Sequence, residues 1–288
     1  MAVEVRLSTP DRLDEVLGLP VDAVSIGQEG CVANLPGTAA LREAADRIRA
    51  AGLRAGVVLP AAWQRHSARL ADLAATLVGD GPLTLTVNDL GTLATLASAP
   101  VPGRELAIGL ALVPGRPYDA GDTSRIPLEP ALYDNAFLRE VEVFGVRTVE
   151  AEAAAVVAER EGLRVRRLAD VIPLAWARSC PTARQHGLAP PDCTAACDTP
   201  TTMVATHRWQ LGHGHREPIP VGDRSRQEPL TVYGNAVYSA ATATTTATPT
   251  DGDVILDARF YTPEALAERI GGLRPRTASA SFQESLHG

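Results

Sequence analysis

The chain has 288 residues, 45% of them hydrophobic, and this length suits one large α/β domain or two small ones. Its net charge of −7 disfavours sequence-independent binding of nucleic acid, which needs a basic surface. All 27 basic residues are Arg, so a Schiff-base lysine and a Walker-type phosphate lysine are both excluded.

The first half of the chain alternates short apolar runs with amphipathic ones, as in a parallel sheet built from βα units. This pattern predicts strands over 3–7, 22–27, 54–59 and 83–87, and helices over 10–17, 38–51 and 62–78. A further helix is expected after Leu90. Thr38 is expected to be the N-cap of its helix, and Gly52 is expected to end it.

The same alternation continues in the second half. It predicts strands over 106–113, 146–149, 163–167 and 254–258, and helices over 131–144, 150–161 and 262–270. Eight strands favour a TIM-like (β/α) barrel, complete or slightly degenerate, over an open doubly wound sheet, because no Gly-rich dinucleotide fingerprint follows the first strand. We expect one barrel domain over 1–273 with an insert over about 172–250, and a disordered tail over 274–288.

No membrane or secretory segment is expected. The first fifteen residues, MAVEVRLSTPDRLDE, contain no apolar h-region. The longest apolar run, 106–114, is too short to span a bilayer. We therefore expect a cytoplasmic protein.

Three of the four cysteines lie close together in the sequence. Cys180, Cys193 and Cys197 form the pattern C-x12-C-x3-C, and Cys31 lies far upstream. Four thiolates suit an iron–sulfur cluster or a structural zinc site, although zinc spacings usually come as two close pairs. His186 would be the fourth ligand of a zinc site with three cysteines.

Two other interpretations of the cysteines compete with a metal. Buried free thiols are common in cytosolic proteins. A disulfide is disfavoured because nothing indicates an oxidising compartment. The chemistry of these residues alone supports an iron–sulfur cluster and a zinc site about equally. Cys31 follows a predicted strand and so belongs to the C-terminal face of the barrel, where barrel enzymes keep their sites. An insert folded over that face would bring all four thiols together.

The motifs around the cysteines resemble a known family. They read PLAW, ARSC, PTAR, PDC and TAAC, with SIGQEGC around Cys31. They resemble the cysteine signature of the collagenase-like (U32-like) peptidase superfamily, and most closely its UbiV-type proteins of anaerobic ubiquinone biosynthesis. VNDLGTLATL, YDNAFLREVEVFGVRTV and TVYGNAVYSA extend the resemblance, motif by motif, over about residues 20–260. One departure is an Ala/Thr run over 240–250, where the family has a helix.

The resemblance implies a [4Fe-4S] cluster held by four cysteines, Cys31, Cys180, Cys193 and Cys197. It implies oxygen-independent hydroxylation of an aromatic small molecule in a heterodimer with a homologous UbiU-like subunit. A carboxylate such as prephenate would be the oxygen donor. Peptidase activity is not expected, because no Gly-x-Ser-x-Gly or HExxH motif is present. The alternatives are an RNA-base hydroxylase of the same superfamily and a non-catalytic subunit with a structural metal.

Four further residues are candidates for catalysis. Asn88 and Asp89 follow the strand over 83–87 on the predicted C-terminal face, although a helix N-cap would explain them equally well. Arg178 and Arg184 bracket Cys180, and a guanidinium fork matches a carboxylate donor.

Weaker candidates have simpler explanations in packing, turns or surface loops. Arg259 is a third candidate for binding a carboxylate. Asn235 and Tyr238 are candidates for lining the pocket, and His213 and His215 for holding a metal.

Overall fold

The structure is a computed structural model. It describes residues 1–62, 64–77, 81–112, 132–176, 180–188, 193, 197, 200–203, 230–240 and 252–274. Of the tail predicted over 274–288, Arg274 is described and residues 275–288 lie outside the described residues.

The described residues form strands and helices in alternation over most of the chain. The strands are β1 (Val3–Leu7), β2 (Ala23–Gly27), β3 (Arg54–Leu59), β4 (Leu83–Val87), β5 (Arg104–Ile108), β6 (Leu132–Tyr133), β7 (Thr148–Glu152), β8 (Val156–Val157), β9 (Arg164–Leu168), β10 (Val171–Trp176), β11 (Thr201–Met203), β12 (Leu230–Tyr233), β13 (Ala236–Ala240) and β14 (Asp253–Asp257). The helices are α1 (Leu13–Leu17), α2 (Thr38–Ala50), α3 (Gln64–Leu77), α4 (Leu90–Ser98), α5 (Asn135–Glu142), α6 (Pro181–Gln185) and α7 (Pro263–Leu273).

Eight of the strands close into a parallel barrel, which confirms the predicted fold. Their order around the wall is β1, β2, β3, β4, β5, β7, β9 and β14. Closure is made by β1, where Val3 pairs with Val254 on one side and Glu4 pairs with Ala23 on the other. The chain therefore forms a barrel and not an open sheet.

Side chains alternate between the two faces of the barrel wall, as they must in strands. In β1, Val3, Val5 and Leu7 belong to the main apolar core, together with buried residues of the helices. Glu4 and Arg6, between them, instead contact residues of β7 and β9, which are not neighbours of β1 in the wall. These contacts run across the barrel, so the alternate residues of β1 fill its interior with charge.

One predicted helix is wrong. Residues 150–161 were expected to be helical, but 148–152 form β7, which is followed by a turn and the two-residue strand β8. The Ala- and Glu-rich composition favours a helix in isolation. Here Glu150 lies opposite Arg166 in the pairing of β7 with β9, and its carboxylate binds Arg6 and Arg166 inside the barrel. Tertiary pairing therefore overrides local propensity.

Several other boundaries differ from prediction, among them one of α2 and one of β5. The N-cap of α2 is Gly37, so Thr38 is the first helical residue instead of the cap. The strand predicted over 106–113 ends at Ile108, and Leu110–Leu112 form a 3-10 turn. Both differences fall at the ends of elements, where sequence patterns are least informative.

A second, antiparallel sheet interrupts the barrel between β9 and β14. Its strand order is β10, β13, β12 and β11. A second apolar cluster joins this sheet to the barrel, because Val171, Tyr233 and Tyr238 pack with Leu168 and Ile255. The sheet therefore lies against the end of the barrel at which β9 terminates, which we call the mouth.

The chain turns from the barrel into this sheet at Asp170. Its φ of 67° lies in the left-handed region, which Asp tolerates better than most residues. Arg269 of α7 holds the Asp170 carboxylate through two hydrogen bonds of 2.8 and 2.9 Å, and the Tyr261 hydroxyl also donates to it. The turn is thus fixed by the residues that follow the last barrel strand.

Candidate functional site

The four cysteines lie at the mouth of the barrel. Cys31 is in the loop after β2, immediately before a 3-10 turn at Val32–Asn34. Cys180 is the N-cap of α6, where its Sγ accepts a hydrogen bond from the backbone N–H of Ala183 at 3.3 Å. Cys193 is partly exposed and Cys197 is buried. None of the four forms a disulfide.

Electrostatic interactions link three of these thiols. Burial raises the pKa of the Cys31 thiol, whereas the backbone N–H groups of Asn34 and Ala33 lower it. Cys180 and Cys193 also raise the pKa of Cys31, because negative charge on either thiol disfavours a second negative charge nearby. Residues 149 or more positions apart in sequence thus meet at the mouth.

Cys197 joins this group through the hairpin of β12 and β13. A Cβ added to Gly234, in the turn of the hairpin, would lie 3.7 Å from the Cys197 Sγ. The next residue, Asn235, donates a hydrogen bond from Nδ2 to the carbonyl oxygen of Gly30 at 2.6 Å. The hairpin turn therefore contacts Cys197 on one side and the residue before Cys31 on the other.

The same turn holds Cys180 in place. The hydroxyl of Thr182, the second residue of α6, donates to the carbonyl oxygen of Gly234 at 3.0 Å and is buried. Gly30 has no room for a side chain, because an added Cβ would lie 2.3 Å from the Asn235 Oδ1 and 3.1 Å from the Trp176 Cδ1. Close packing around one hairpin turn thus sets the relative positions of the cysteine-bearing segments.

The thiols lie near one another, but the described side chains do not have the geometry of a metal site. Within the described ranges, no group of three or more His, Cys, Asp or Glu side chains is arranged to hold a metal ion. Metal ligation by the four cysteines therefore stays a prediction.

Beneath the cysteines the barrel contains a buried ion network that sequence reasoning missed. We call Glu4, Arg6, Glu150 and Arg166 the interior network. Arg166 binds Glu4 at 2.8 Å and Glu150 at 2.6 Å, and Arg6 also binds Glu150. Burial opposes ionisation of Glu4, but Arg166 and Arg6 outweigh it and lower its pKa. The sequence signal that could have revealed this network is the alternation of charged and apolar residues in VEVRL and RVRRL.

The interior network continues to the mouth through Glu29, two residues before Cys31. Its carboxylate accepts from Arg6 at 2.7 Å and from Arg259 at 3.1 Å. Burial opposes its ionisation, but Arg259 and Arg6 together lower the pKa of Glu29 to about 2. Burial raises the pKa of Tyr238, whose hydroxyl donates to the same carboxylate at 3.4 Å. The ion pairs of Glu29 with Arg6 and Arg259 therefore hold the loop of Cys31 against the barrel interior.

The four residues predicted to be catalytic have different settings. Asn88 donates from Nδ2 to the carbonyl oxygen of Leu59 at 2.9 Å, and its Oδ1 accepts from the N–H of Ala111 at 3.0 Å. Asp89 is the N-cap of α4 and accepts from the N–H of Thr92 at 2.7 Å. Both stand at the end of β4 as predicted, and both bind backbone groups there.

The remaining candidates are spread over the insert. Arg184 is exposed on α6, four residues after Cys180, and His186 is exposed beside it. Tyr238 is fully buried in the second apolar cluster. Arg178, His213 and His215 lie outside the described residues.

Comparison with known proteins yields likenesses to solved structures. No protein-family model and no curated protein matches the sequence. The chain is similar to the solved structure of the U32 peptidase Mk0906, with 14% identity, a TM-score of 0.45, and coverage of 90% of this chain and 92% of that one. At this identity and TM-score the likeness carries nothing beyond a general agreement in fold. In the described part of the chain, no helix is both long and apolar enough to cross a membrane.

Proposed function

We propose that this chain binds a [4Fe-4S] cluster through Cys31, Cys180, Cys193 and Cys197. We further propose that it takes part in the oxygen-independent hydroxylation of an aromatic small molecule. The observation that carries the proposal is the hairpin turn at Gly234, which contacts Cys197, the loop of Cys31 and the helix that Cys180 caps, at the end of the barrel where barrel enzymes work.

The donor set fits such a cluster. Four thiols are its usual ligands, and all four cysteines of the chain are outside disulfides and lie at one end of the barrel. The surroundings also fit, because Cys197 is only 5% exposed and the insert sheet packs over the mouth. A redox centre held there is partly shielded from water.

When bound, the cluster supplies one-electron transfer at a potential set by nearby charge, hydrogen bonds and exposure. The residues of the chain have other tasks. Glu29 and Arg259 orient the loop of Cys31. Arg184, exposed near Cys180, offers a guanidinium fork for the carboxylate of an oxygen donor such as prephenate. Arg178 is proposed for the same task from its position in the sequence.

A homologous UbiU-like subunit is proposed as the partner. A stable contact of this kind buries at least about 1,000 Å² and survives gel filtration. An aromatic small molecule is preferred over an RNA base as the substrate, because the chain carries a net charge of −7.

Labelling the donor with oxygen-18 tests the activity. With the partner present and air excluded, the label should appear in the hydroxylated aromatic product. The Cys193→Ala variant, assayed beside it, should form no product. Label-free product, or normal turnover by Cys193→Ala, would rule out the proposed reaction.

A further inference from the structure

Arg259 makes an unusual number of buried contacts at the barrel mouth. It follows β14 in the 3-10 turn Ala258–Phe260, and its side chain is only 3% exposed. Its Nη2 donates to the Glu29 carboxylate at 3.1 Å, and its Nε donates to the Asp257 Oδ1 at 2.9 Å. Two barrel elements are thereby joined, namely the end of β14 and the loop after β2.

The same guanidinium is stacked against the insert sheet. It lies 4.9 Å from the ring centroid of Tyr233 and 5.3 Å from that of Tyr238, which belong to the two strands of the hairpin. Such cation–π contacts are worth more in buried sites than in exposed ones. We call Glu29, Asp257 and Arg259 with these two rings the mouth cluster.

Two of the contacts of Arg259 lead to different cysteines. Glu29 precedes Cys31 by two residues, and Tyr233 precedes Gly234, which lies against the Cys197 sulfur. We propose that Arg259 is a positioning residue that holds the Cys31 loop against the hairpin beside Cys197, and that its charge compensates Glu29 next to the bound metal. This inference rests on the proposed function only in taking the four cysteines as metal ligands.

Two consequences separate this role from a general contribution to folding. Loss of Arg259 should loosen the metal site while the eight barrel strands stay paired. It should also remove one positive charge from beside Glu29, which Arg6 would still compensate in part. The added net negative charge lowers the reduction potential of a cluster, because it disfavours the more negative reduced state. A residue that only stabilises the fold would change neither the potential nor the metal release at temperatures well below unfolding.

The test compares Arg259→Gln with the wild-type chain, both as purified without air and after loading with Zn²⁺ as a probe. We expect release of metal to a chelator to become at least about tenfold faster, the size expected for loss of a residue supporting the ligands. Arg164→Gln is the matched control, since Arg164 binds Asp253 at 2.7 Å at the opposite end of β14. It should release metal at the wild-type rate.

Two more variants separate the effect of the Arg259 charge from the effect of its planar geometry. Glu29→Gln combined with Arg259→Gln removes both charges, so the potential should return towards the wild-type value while release stays fast. Arg259→Lys keeps the charge and loses the planar fork, so it should keep the potential and release metal faster. It also serves as the test if Arg259→Gln does not fold.

Wild-type release rates in both Arg259 variants, with an unchanged potential in Arg259→Gln, would overturn the inference. Failure of the proposed function gives a different result, namely wild-type protein that contains zinc or no metal as purified. Because release from the Zn²⁺-loaded protein is measured in either case, the positioning role is judged independently of the native metal.

Discussion

The interior network and the mouth cluster use the same chemistry for different purposes. In each of them, buried arginine side chains are paired with buried carboxylates. The partners of Arg6 and Arg166 are residues of the barrel strands and the loop after β2. Arg259 instead contacts Glu29 of the barrel and two aromatic rings of the insert. The first arrangement holds the barrel together, and the second joins the barrel to the cysteine-bearing insert.

This difference predicts that stability and metal binding can be impaired separately. Changes in the interior network should lower the free energy of unfolding. Changes around the hairpin turn should release metal with a smaller loss of stability. Each prediction below tests one side of the comparison, beginning with the largest expected effect.

Replacing Arg6 by Leu should cause the largest loss of stability. Arg6 is fully buried and binds Glu29 and Glu150, so its removal leaves two buried carboxylates undercompensated. Breaking a buried ion pair costs about 3–5 kcal/mol. Chemical denaturation followed by circular dichroism measures this loss in the free energy of unfolding. Arg47→Leu, in an exposed pair with Asp14, should cost under about 1 kcal/mol. If the two variants unfold at the same denaturant concentration, the interior network does not stabilise the barrel.

Replacing Gly30 by Ala should reduce bound metal sharply and stability moderately. The added methyl group would overlap the Asn235 Oδ1 at 2.3 Å and push the Cys31 loop away from the hairpin turn. Overpacking of this kind costs about 1–3 kcal/mol. Metal analysis of the purified protein is the measurement. Gly18→Ala is the control, because nothing lies within 4 Å of its added Cβ. Full metal content in Gly30→Ala would contradict the described packing.

Replacing Glu4 by Gln should have the smallest effect, which is present at neutral pH and shrinks at acid pH. The pKa of Glu4 is lowered in the folded chain from an ordinary value of 4.5, because Arg166 and Arg6 outweigh its burial. A lowered folded pKa gives stability that is fully present above the ordinary value and is lost as the pH falls towards the folded value. The wild type should therefore lose more stability than Glu4→Gln below about pH 4.5. Parallel unfolding curves of the two proteins from neutral to acid pH would contradict this.

The barrel was predictable from the sequence because its strands are buried runs with clear ends. Arg54–Leu59 and Leu83–Val87 have the predicted bounds. The 150–161 segment was not predictable, because its Ala-rich composition favours a helix and only barrel closure gives Glu150 its arginine partners. Local pattern was therefore sufficient even for β1, which buries two charged residues in a clear alternation, and insufficient for 150–161, where an Ala-rich run matches a helix.

The candidate site was predictable only in its cysteines. Their grouping and the position of Cys31 after a strand indicated one end of the barrel, where the structure brings Cys31, Cys180 and Cys193 together. The contacts of Arg259 were not foreseen, because its partners Glu29, Tyr233 and Tyr238 lie 21 or more positions away from it and meet only in the folded chain. Asp89 was predicted both as a catalytic residue and as a helix cap, and the structure shows the cap.

The central claim is that four cysteines from the early barrel and the insert hold one iron–sulfur cluster. Iron and acid-labile sulfide in protein purified without air test it most directly. We expect about four of each per chain and a broad absorption band near ~400 nm. Cys31→Ala and Cys193→Ala should lose iron to the same extent, although the two residues are remote in sequence. One equivalent of zinc without sulfide, or full iron content in Cys31→Ala, would contradict the account.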